Sequence, residues 1–136
     1  MVGDIVGFTA HMAIDERQAL DYIGRMRGTA KPLVARFDGL WVKDIGDGFL
    51  ASFHSAVEAV GCAVAIQRAL FGNPEFQLRL GIHLGDVVFE DDDVLGDGVN
   101  IAARLETLAV PGGICASGQI VDLVRNQPDL HFARLG

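Results

Sequence analysis

The chain has 136 residues, half of them apolar, with 18 acidic against 11 basic side chains. This length is enough for one compact core and too short to suggest two domains. The net charge of -7 argues against nucleic-acid binding, because a surface that follows phosphates needs a basic face. No apolar run reaches the roughly 18 uncharged residues of a membrane span, and the opening residues do not resemble a secretory signal. We therefore expect one cytoplasmic domain over residues 1–136, without membrane contact by this segment.

The first half of the chain alternates strand-like and helical patterns. A capping box of Asp15 with Gln18 opens a helical pattern, and Gly28 and Pro32 are expected to break it into two helices. The turn Gly46-Asp47-Gly48 predicts a tight hairpin with its aspartate exposed at the tip. The predicted elements are a strand at residues 1–5, the two helices, and hairpin strands at 40–45 and 49–53.

The second half has the same mixed character. Ser55 with Glu58 forms another capping box, and the acidic run at residues 90–93 reads as a solvated loop. The resulting order, β-α-α-β-β-α-β-β-α-β-α, implies an α+β sandwich with one sheet covered by helices on one face. The predicted elements are helices at 55–70, 99–108 and 117–124, strands at 78–82, 87–89 and 114–116, and a further strand opening at 131–135.

Two aspartates lie at predicted strand ends beside glycine-containing turns. Asp4 precedes Gly7-Phe8-Thr9, a turn whose backbone N–H groups and hydroxyl could cradle a phosphate. Asp47 lies between two glycines that would leave room for a ligand. Each segment alone is more often a plain acidic turn. Together, two carboxylates on neighbouring strand ends can hold one or two Mg²⁺ ions that also bind substrate phosphates.

The helix that is predicted to begin near residue 99 carries a polar pair. Asn100 and Arg104 are four residues apart and therefore share a face, while Ile101, Leu105 and Leu108 are expected to form the opposite, core-facing stripe. An amide beside a guanidinium suits a sugar and a phosphate oxygen. An exposed pair without a function is an equally good interpretation.

Three segments, in this order, resemble the catalytic domain of the class III nucleotidyl cyclases, the adenylyl and guanylyl cyclases. The resemblance covers essentially the whole chain and implies a ferredoxin-like α+β fold with one mostly antiparallel sheet. It also implies a catalytic domain truncated at both ends, with a regulatory domain elsewhere in a full-length chain that could be membrane-tethered. The matching segments are Asp4-Ile5-Val6-Gly7-Phe8-Thr9, Lys43 through Asp47, and Gly96-Asp97-Gly98-Val99-Asn100-Ile101-Ala102-Ala103-Arg104-Leu105-Glu106.

The resemblance implies a metal and triphosphate site at the first two segments. Asp4 and Asp47, with the carbonyl of Ile5, would bind two Mg²⁺ or Mn²⁺ ions per site. Residues Gly7, Phe8 and Thr9 would cradle the triphosphate.

The resemblance also implies a purine site and a pair that acts in the reaction. Lys43 and Asp93 would read the purine, and an ammonium donor with a carboxylate acceptor suits adenine, whose ring nitrogen accepts while its exocyclic amine donates. Asn100 would orient the ribose, and Arg104 would offset the phosphate charge in the transition state.

The implied function is adenylate cyclase activity, in which the ribose 3′-oxygen of ATP attacks the α-phosphorus and expels pyrophosphate. In this family the metal aspartates come from one protomer, and the purine-reading pair, the asparagine and the arginine come from the other. One sequence that carries both sets implies a homodimer with two shared sites. The alternatives are guanylate cyclase activity and a non-catalytic dimerising or nucleotide-sensing module derived from a cyclase.

Overall fold

The computed structural model describes residues 1–85, 88–91, 93–127 and 130–132. None of its helices within these ranges has the length and apolar character that a membrane-spanning segment requires. Of the strand predicted to open at 131–135, residues 131 and 132 have no regular structure, and the rest lie outside the described residues. The elements are β1 (Val2–Ile5), α1 (Phe8–Ile14), α2 (Glu16–Arg36), β2 (Leu40–Ile45), β3 (Gly48–Ser52), α3 (Ala56–Leu70), β4 (Leu78–Ile82), β5 (Val88–Glu90), β6 (Asp93–Leu95), α4 (Asp97–Leu108), β7 (Ile114–Ala116) and α5 (Gly118–Val124).

Five strands form one open sheet in the order β2-β3-β1-β4-β7. The pairs are antiparallel except for β4 with β7, which is parallel. Strands β5 and β6 form a separate antiparallel hairpin. The α+β class and the mostly antiparallel sheet are therefore confirmed.

The two faces of the sheet carry separate apolar clusters. Because side chains alternate along a strand, Ile5 and Phe49 point to one face, where they pack with α2 and α3 in the main core; we call this the core face. Val2 and Leu50 point to the other face and pack against Ala102 of α4; we call this the α4 face. Helices α2 and α3 cover the core face, and α4 packs against the second face, so that helices lie on both faces and not on one as predicted.

A glycine in β4 brings α4 against the sheet. A Cβ atom on Gly81 would lie 2.3 Å from the carbonyl oxygen of Ala102 and 2.4 Å from the backbone nitrogen of Glu106. Only glycine lets the backbone of α4 lie this close to β4. Large apolar side chains therefore do not fit on the face of α4 that is turned to the sheet. The predicted core stripe of α4 was therefore wrong: Ala102 and Glu106 are the buried residues, and Leu108 is 63% exposed.

Helix α2 is continuous, so the predicted break at Gly28 and Pro32 was wrong. Proline at position 32 cannot donate to the carbonyl of residue 28, but both residues are exposed and water can satisfy that carbonyl. Met26, Ala30 and Val34 meanwhile bury one continuous stripe in the main core. The burial of that stripe keeps the helix intact through the proline.

Three residues of the acidic run at residues 90–93 belong to a hairpin and not to a plain loop, and residue 92 lies outside the described residues. Glu90 ends β5 and pairs with Asp93, which begins β6. Asp91 lies in the turn with a φ of 47°, a conformation that aspartate tolerates better than most residues. This places the Asp93 side chain at a defined position in a strand.

Candidate active site

The tip of the β2–β3 hairpin lies against the end of β1. Oδ2 of Asp47 accepts a hydrogen bond of 2.9 Å from the N–H of Ile5. Gly48 makes this contact possible, since a Cβ there would lie 2.0 Å from the carbonyl oxygen of Gly3. The glycine thus makes room for β1. The prediction of an exposed aspartate was wrong, because Asp47 is half-buried.

Asp4 and Asp47 form an acidic pair at this strand end. Burial raises the pKa of Asp47, the hydrogen bond from Ile5 opposes that rise, and the nearby Asp4 carboxylate adds to it. A half-buried pair of like charges is stabilised by a cation. Within the described residues no three His, Cys, Asp or Glu side chains form a metal cluster. The pair instead fits Mg²⁺ or Mn²⁺, which take one or two carboxylates and complete their shell with water and substrate phosphates.

Glu106 is a buried acid that the sequence reading left without a role. It is 4% exposed on α4 and shares a hydrogen bond with Asp4. Arg79 lies directly opposite Asp4 in the β1–β4 ladder. Burial, followed by the hydrogen bond and the charge of Asp4, raises the pKa of Glu106 to about 8, and Arg79 partly counters this. In its protonated form Glu106 can donate this hydrogen bond to the Asp4 carboxylate.

The raised pKa of Glu106 predicts a pH dependence of stability in metal-free protein. The fold favours the protonated acid, so its stabilisation is complete below the ordinary pKa of 4.5 and is lost as the pH rises through about 8. Denaturant unfolding in EDTA should therefore give a free energy of unfolding that falls between about pH 5.5 and 8. Glu106→Gln should flatten this slope, and Glu90→Gln, at an exposed glutamate of β5, should retain it. An unchanged slope in Glu106→Gln would contradict the assignment.

Lys43 and Asp93 are in direct contact. Nζ of Lys43, on β2, donates a hydrogen bond of 3.0 Å to Oδ2 of Asp93, on β6. Lys43 pairs with Leu50 across the β2–β3 ladder, so its side chain points to the α4 face, where Asp4 also points. The structure thus brings together the two residues expected to read a purine.

Asn100 and Arg104 lie on the exposed side of α4. The buried side of the same helix, with Ala102 and Glu106, faces the sheet. In the described part of the chain no ion pair involves the Arg104 guanidinium. Within the described residues, no ion pair therefore joins Arg104 to Asp4 of the same chain.

The expected phosphate turn forms the start of α1. Gly7 precedes the helix with a φ of 63° and a ψ of 33°, and no side chain caps the first turn. Thr9 is exposed, and Phe8 packs against the main core. The first backbone N–H groups of a helix lack partners within the helix, so Gly7 and Thr9 can contact an anion while Phe8 anchors the turn.

The sequence matches a cyclase family along its whole length. The family described as "Adenylate and Guanylate cyclase catalytic domain" matches residues 1–136. The chain is 40% identical over 144 aligned residues to "Putative adenylate cyclase 3" of Rhizobium meliloti (strain 1021), a match that covers 100% of this chain and 24% of that protein. The chain thus spans about a quarter of the length of this curated relative.

Solved structures show the same fold. An adenylate/guanylate cyclase/hydrolase from Silicibacter pomeroyi is 36% identical with a TM-score of 0.92, over 99% of this chain and 83% of that one. The guanylate cyclase domain of RhGC from Catenaria anguillulae, solved in complex with GTP, is 19% identical with a TM-score of 0.78, over 93% of this chain and 80% of that one. Together with the match over residues 1–136, the fold shows that this chain belongs to the adenylate and guanylate cyclase catalytic domain family.

Proposed function

We propose that this domain is an adenylate cyclase, which converts ATP to 3′,5′-cyclic AMP and pyrophosphate. The contact between Lys43 and Asp93, 3.0 Å long, carries the proposal, because the resemblance sets its ammonium donor at the purine ring nitrogen and its carboxylate acceptor at the exocyclic group. Adenine presents the complementary pair, a ring nitrogen that accepts and an exocyclic amine that donates. Guanine presents an oxygen acceptor and a ring N–H donor in the reverse arrangement. The likeness to the protein named "Putative adenylate cyclase 3" is in keeping with the same substrate.

Asp4 and Asp47 would hold two Mg²⁺ or Mn²⁺ ions together with the carbonyl of Ile5. When bound, the ions lower the pKa of the ribose 3′-hydroxyl and offset the charge of the leaving pyrophosphate. The support is the acidic pair itself, in which the hydrogen bond from Ile5 fixes the orientation of Asp47. Gly7, Phe8 and Thr9 would bind the triphosphate through the start of α1.

Asn100 and Arg104 would act in the second half of the site. Their exposure on α4 leaves them able to reach a nucleotide held by a second chain. In the reaction the 3′-oxygen forms a bond to the α-phosphorus as the bond to pyrophosphate breaks. Asn100 would orient the ribose, and Arg104 would offset the charge that develops on the α-phosphate.

The complete enzyme would then be a homodimer with two shared sites related by twofold symmetry. Each site would take its metal aspartates from one protomer and its purine-reading, ribose and phosphate side chains from the other. Residues 1–136 would form one catalytic domain of a longer protein with a regulatory domain elsewhere, in keeping with the 24% of the relative's length that they span.

Purine selection is tested by changing Lys43. In Lys43→Glu the donor becomes an acceptor, and we expect kcat/KM for ATP to fall by about 10- to 100-fold while that for GTP falls less. Arg17→Glu, at an exposed arginine near the start of α2, is the control and should keep the wild-type ratio. Initial rates with each nucleotide give both constants. An unchanged ratio of ATP to GTP turnover in Lys43→Glu would contradict the proposed reading of adenine.

A further inference from the structure

Helix α2 is tied to the hairpin that carries Lys43 and Asp47. Nη2 of Arg27 donates a hydrogen bond of 3.2 Å to the carbonyl oxygen of Gly46. Nε of the same guanidinium lies 3.3 Å from Oδ1 of Asp44. One arginine thus contacts the hairpin on both sides of Ile45, next to the turn that positions the metal aspartate.

Trp41, which lies in the hairpin itself, makes a second contact with Asp44. Nε1 of Trp41 donates a hydrogen bond of 2.9 Å to the same Oδ1 of Asp44. The Trp41 ring stacks on Phe49, with centroids 4.4 Å apart and planes at 17°, and Phe49 is fully buried. Asp44 is therefore held between an arginine of α2 and a tryptophan anchored in the main core.

The hairpin needs such support because β2 is an edge strand. Among the residues that the structure describes, its backbone pairs only with β3, and the register shifts between Trp41 and Lys43. Residues 43–46 are all exposed. An edge strand with an irregular register and no burial at its end is free to move unless side chains hold it.

The contacts of Asp44 with Arg27 and Trp41 lie on the core face of the sheet, opposite to the face of Lys43. Asp44 pairs with Phe49 and therefore points to the core face, whereas Lys43 pairs with Leu50 and points to the α4 face. Contacts at Asp44 can thus fix the backbone without entering the space where a nucleotide would bind.

We propose that Arg27 and Asp44 are positioning residues that hold the hairpin in the geometry in which Asp47 binds metal and Lys43 reads the purine. The inference rests on the proposed role of Asp47. Neither residue touches the substrate; both act through the backbone between Lys43 and Gly46.

The expected effect is a weaker metal–nucleotide complex. Arg27 makes one hydrogen bond and one ion pair with the hairpin at a part-exposed site. We expect the loss of both contacts to weaken the binding of Mn²⁺ by about three- to tenfold. Arg27→Ala should therefore raise the Kd for Mn²⁺ by that factor, and Arg27→Lys, which keeps the charge without the forked geometry, should fall between it and wild type. The ratio of ATP to GTP turnover should decrease in the same order.

The test measures Mn²⁺ binding by electron paramagnetic resonance, in the presence of α,β-methylene-ATP, which cannot be cyclised. Arg25→Ala is the matched control: it lies on the same helix and loses an ion pair of 2.7 Å to Glu75, away from the hairpin. The sole tryptophan of the chain gives a second readout, because exchange of its indole N–H with solvent should be faster in Arg27→Ala and unchanged in Arg25→Ala.

Three outcomes are decisive. A higher Kd for Mn²⁺ in Arg27→Ala, with Arg25→Ala within about twofold of wild type, supports the positioning role. Equal affinities in these two variants, with binding lost in Asp47→Asn, would refute the tie and leave the metal site intact. A wild-type Kd for Mn²⁺ in Asp47→Asn would refute the metal site, and it would also refute the positioning role, which rests on that site.

Discussion

Replacing Asp47 with asparagine is expected to reduce metal-dependent turnover by about 1,000-fold, because the ions supply several kcal/mol of transition-state stabilisation. Asparagine has nearly the same shape, and its carbonyl oxygen can still accept the hydrogen bond from Ile5, which is 2.9 Å long in the structure. The substitution therefore removes one charge and leaves the hairpin in place. Initial rates at saturating ATP and Mn²⁺ measure the loss.

A stability measurement separates this loss from unfolding. Because burial and the neighbouring Asp4 raise the pKa of Asp47, the metal-free Asp47→Asn protein should be at least as stable as wild type. Asp38→Asn, at an exposed turn residue with a φ of 57°, is the matched control and should keep full activity. Wild-type turnover in Asp47→Asn would exclude the proposed metal site.

Truncating Arg104 should have the second largest effect. We expect Arg104→Ala to lower kcat by about 100- to 1,000-fold with little change in KM, because the role proposed for the guanidinium is to offset charge that develops in the transition state. The side chain is exposed and its loss should not affect folding. Thermal unfolding of the variant checks that it still folds. A higher KM for ATP with an unchanged kcat would contradict the assignment.

Mixing the two inactive variants tests whether sites are shared. A random heterodimer of Asp47→Asn with Arg104→Ala has one site with both defects and one with neither. An equal mixture should therefore recover about a quarter of the wild-type activity. Titration of one variant into the other at fixed total protein gives the recovery curve. No recovery in a mixture shown to form heterodimers would mean that each site is built from one chain.

Local signals in the sequence predicted the ends of the elements well. The Ser55 hydroxyl accepts from the N–H of Glu58 at 3.2 Å, and Asp15 accepts from Gln18 at 3.1 Å, as the capping boxes indicated. Such contacts join residues three apart and depend little on the rest of the fold. The continuity of α2 through Pro32 depends on burial in the main core, which no local pattern contains.

The residues of the candidate site also differ in whether local sequence patterns could identify them. Asp4 and Asp47 indicate a metal site only as a pair of aspartates beside glycine-containing turns, and the resemblance adds the pairing of Lys43 with Asp93, 50 residues away. Glu106 could not be found from apolar periodicity, because its burial depends on the close approach that Gly81 permits. One signal was available: Glu106 closes the segment that resembles the cyclase signature.

The contact of Arg27 with the hairpin was likewise beyond a sequence reading. Arg27 and Asp44 belong to different elements, and each looks like an ordinary surface charge. Their meeting depends on how α2 crosses the edge strand of the sheet. Long-range polar contacts of this kind are set by packing and leave no periodic pattern.

The most direct measurement is cyclic nucleotide formation by the purified protein from ATP and from GTP, each with Mg²⁺ and with Mn²⁺. Adenylate cyclase activity predicts cyclic AMP and an equal amount of pyrophosphate from ATP, with a kcat/KM at least about tenfold above that for GTP, and no product in EDTA or from Asp47→Asn. Preferential formation of cyclic GMP would contradict the assignment of adenine to Lys43 and Asp93. Binding of ATP without turnover by a dimer in the presence of either metal would contradict catalysis itself.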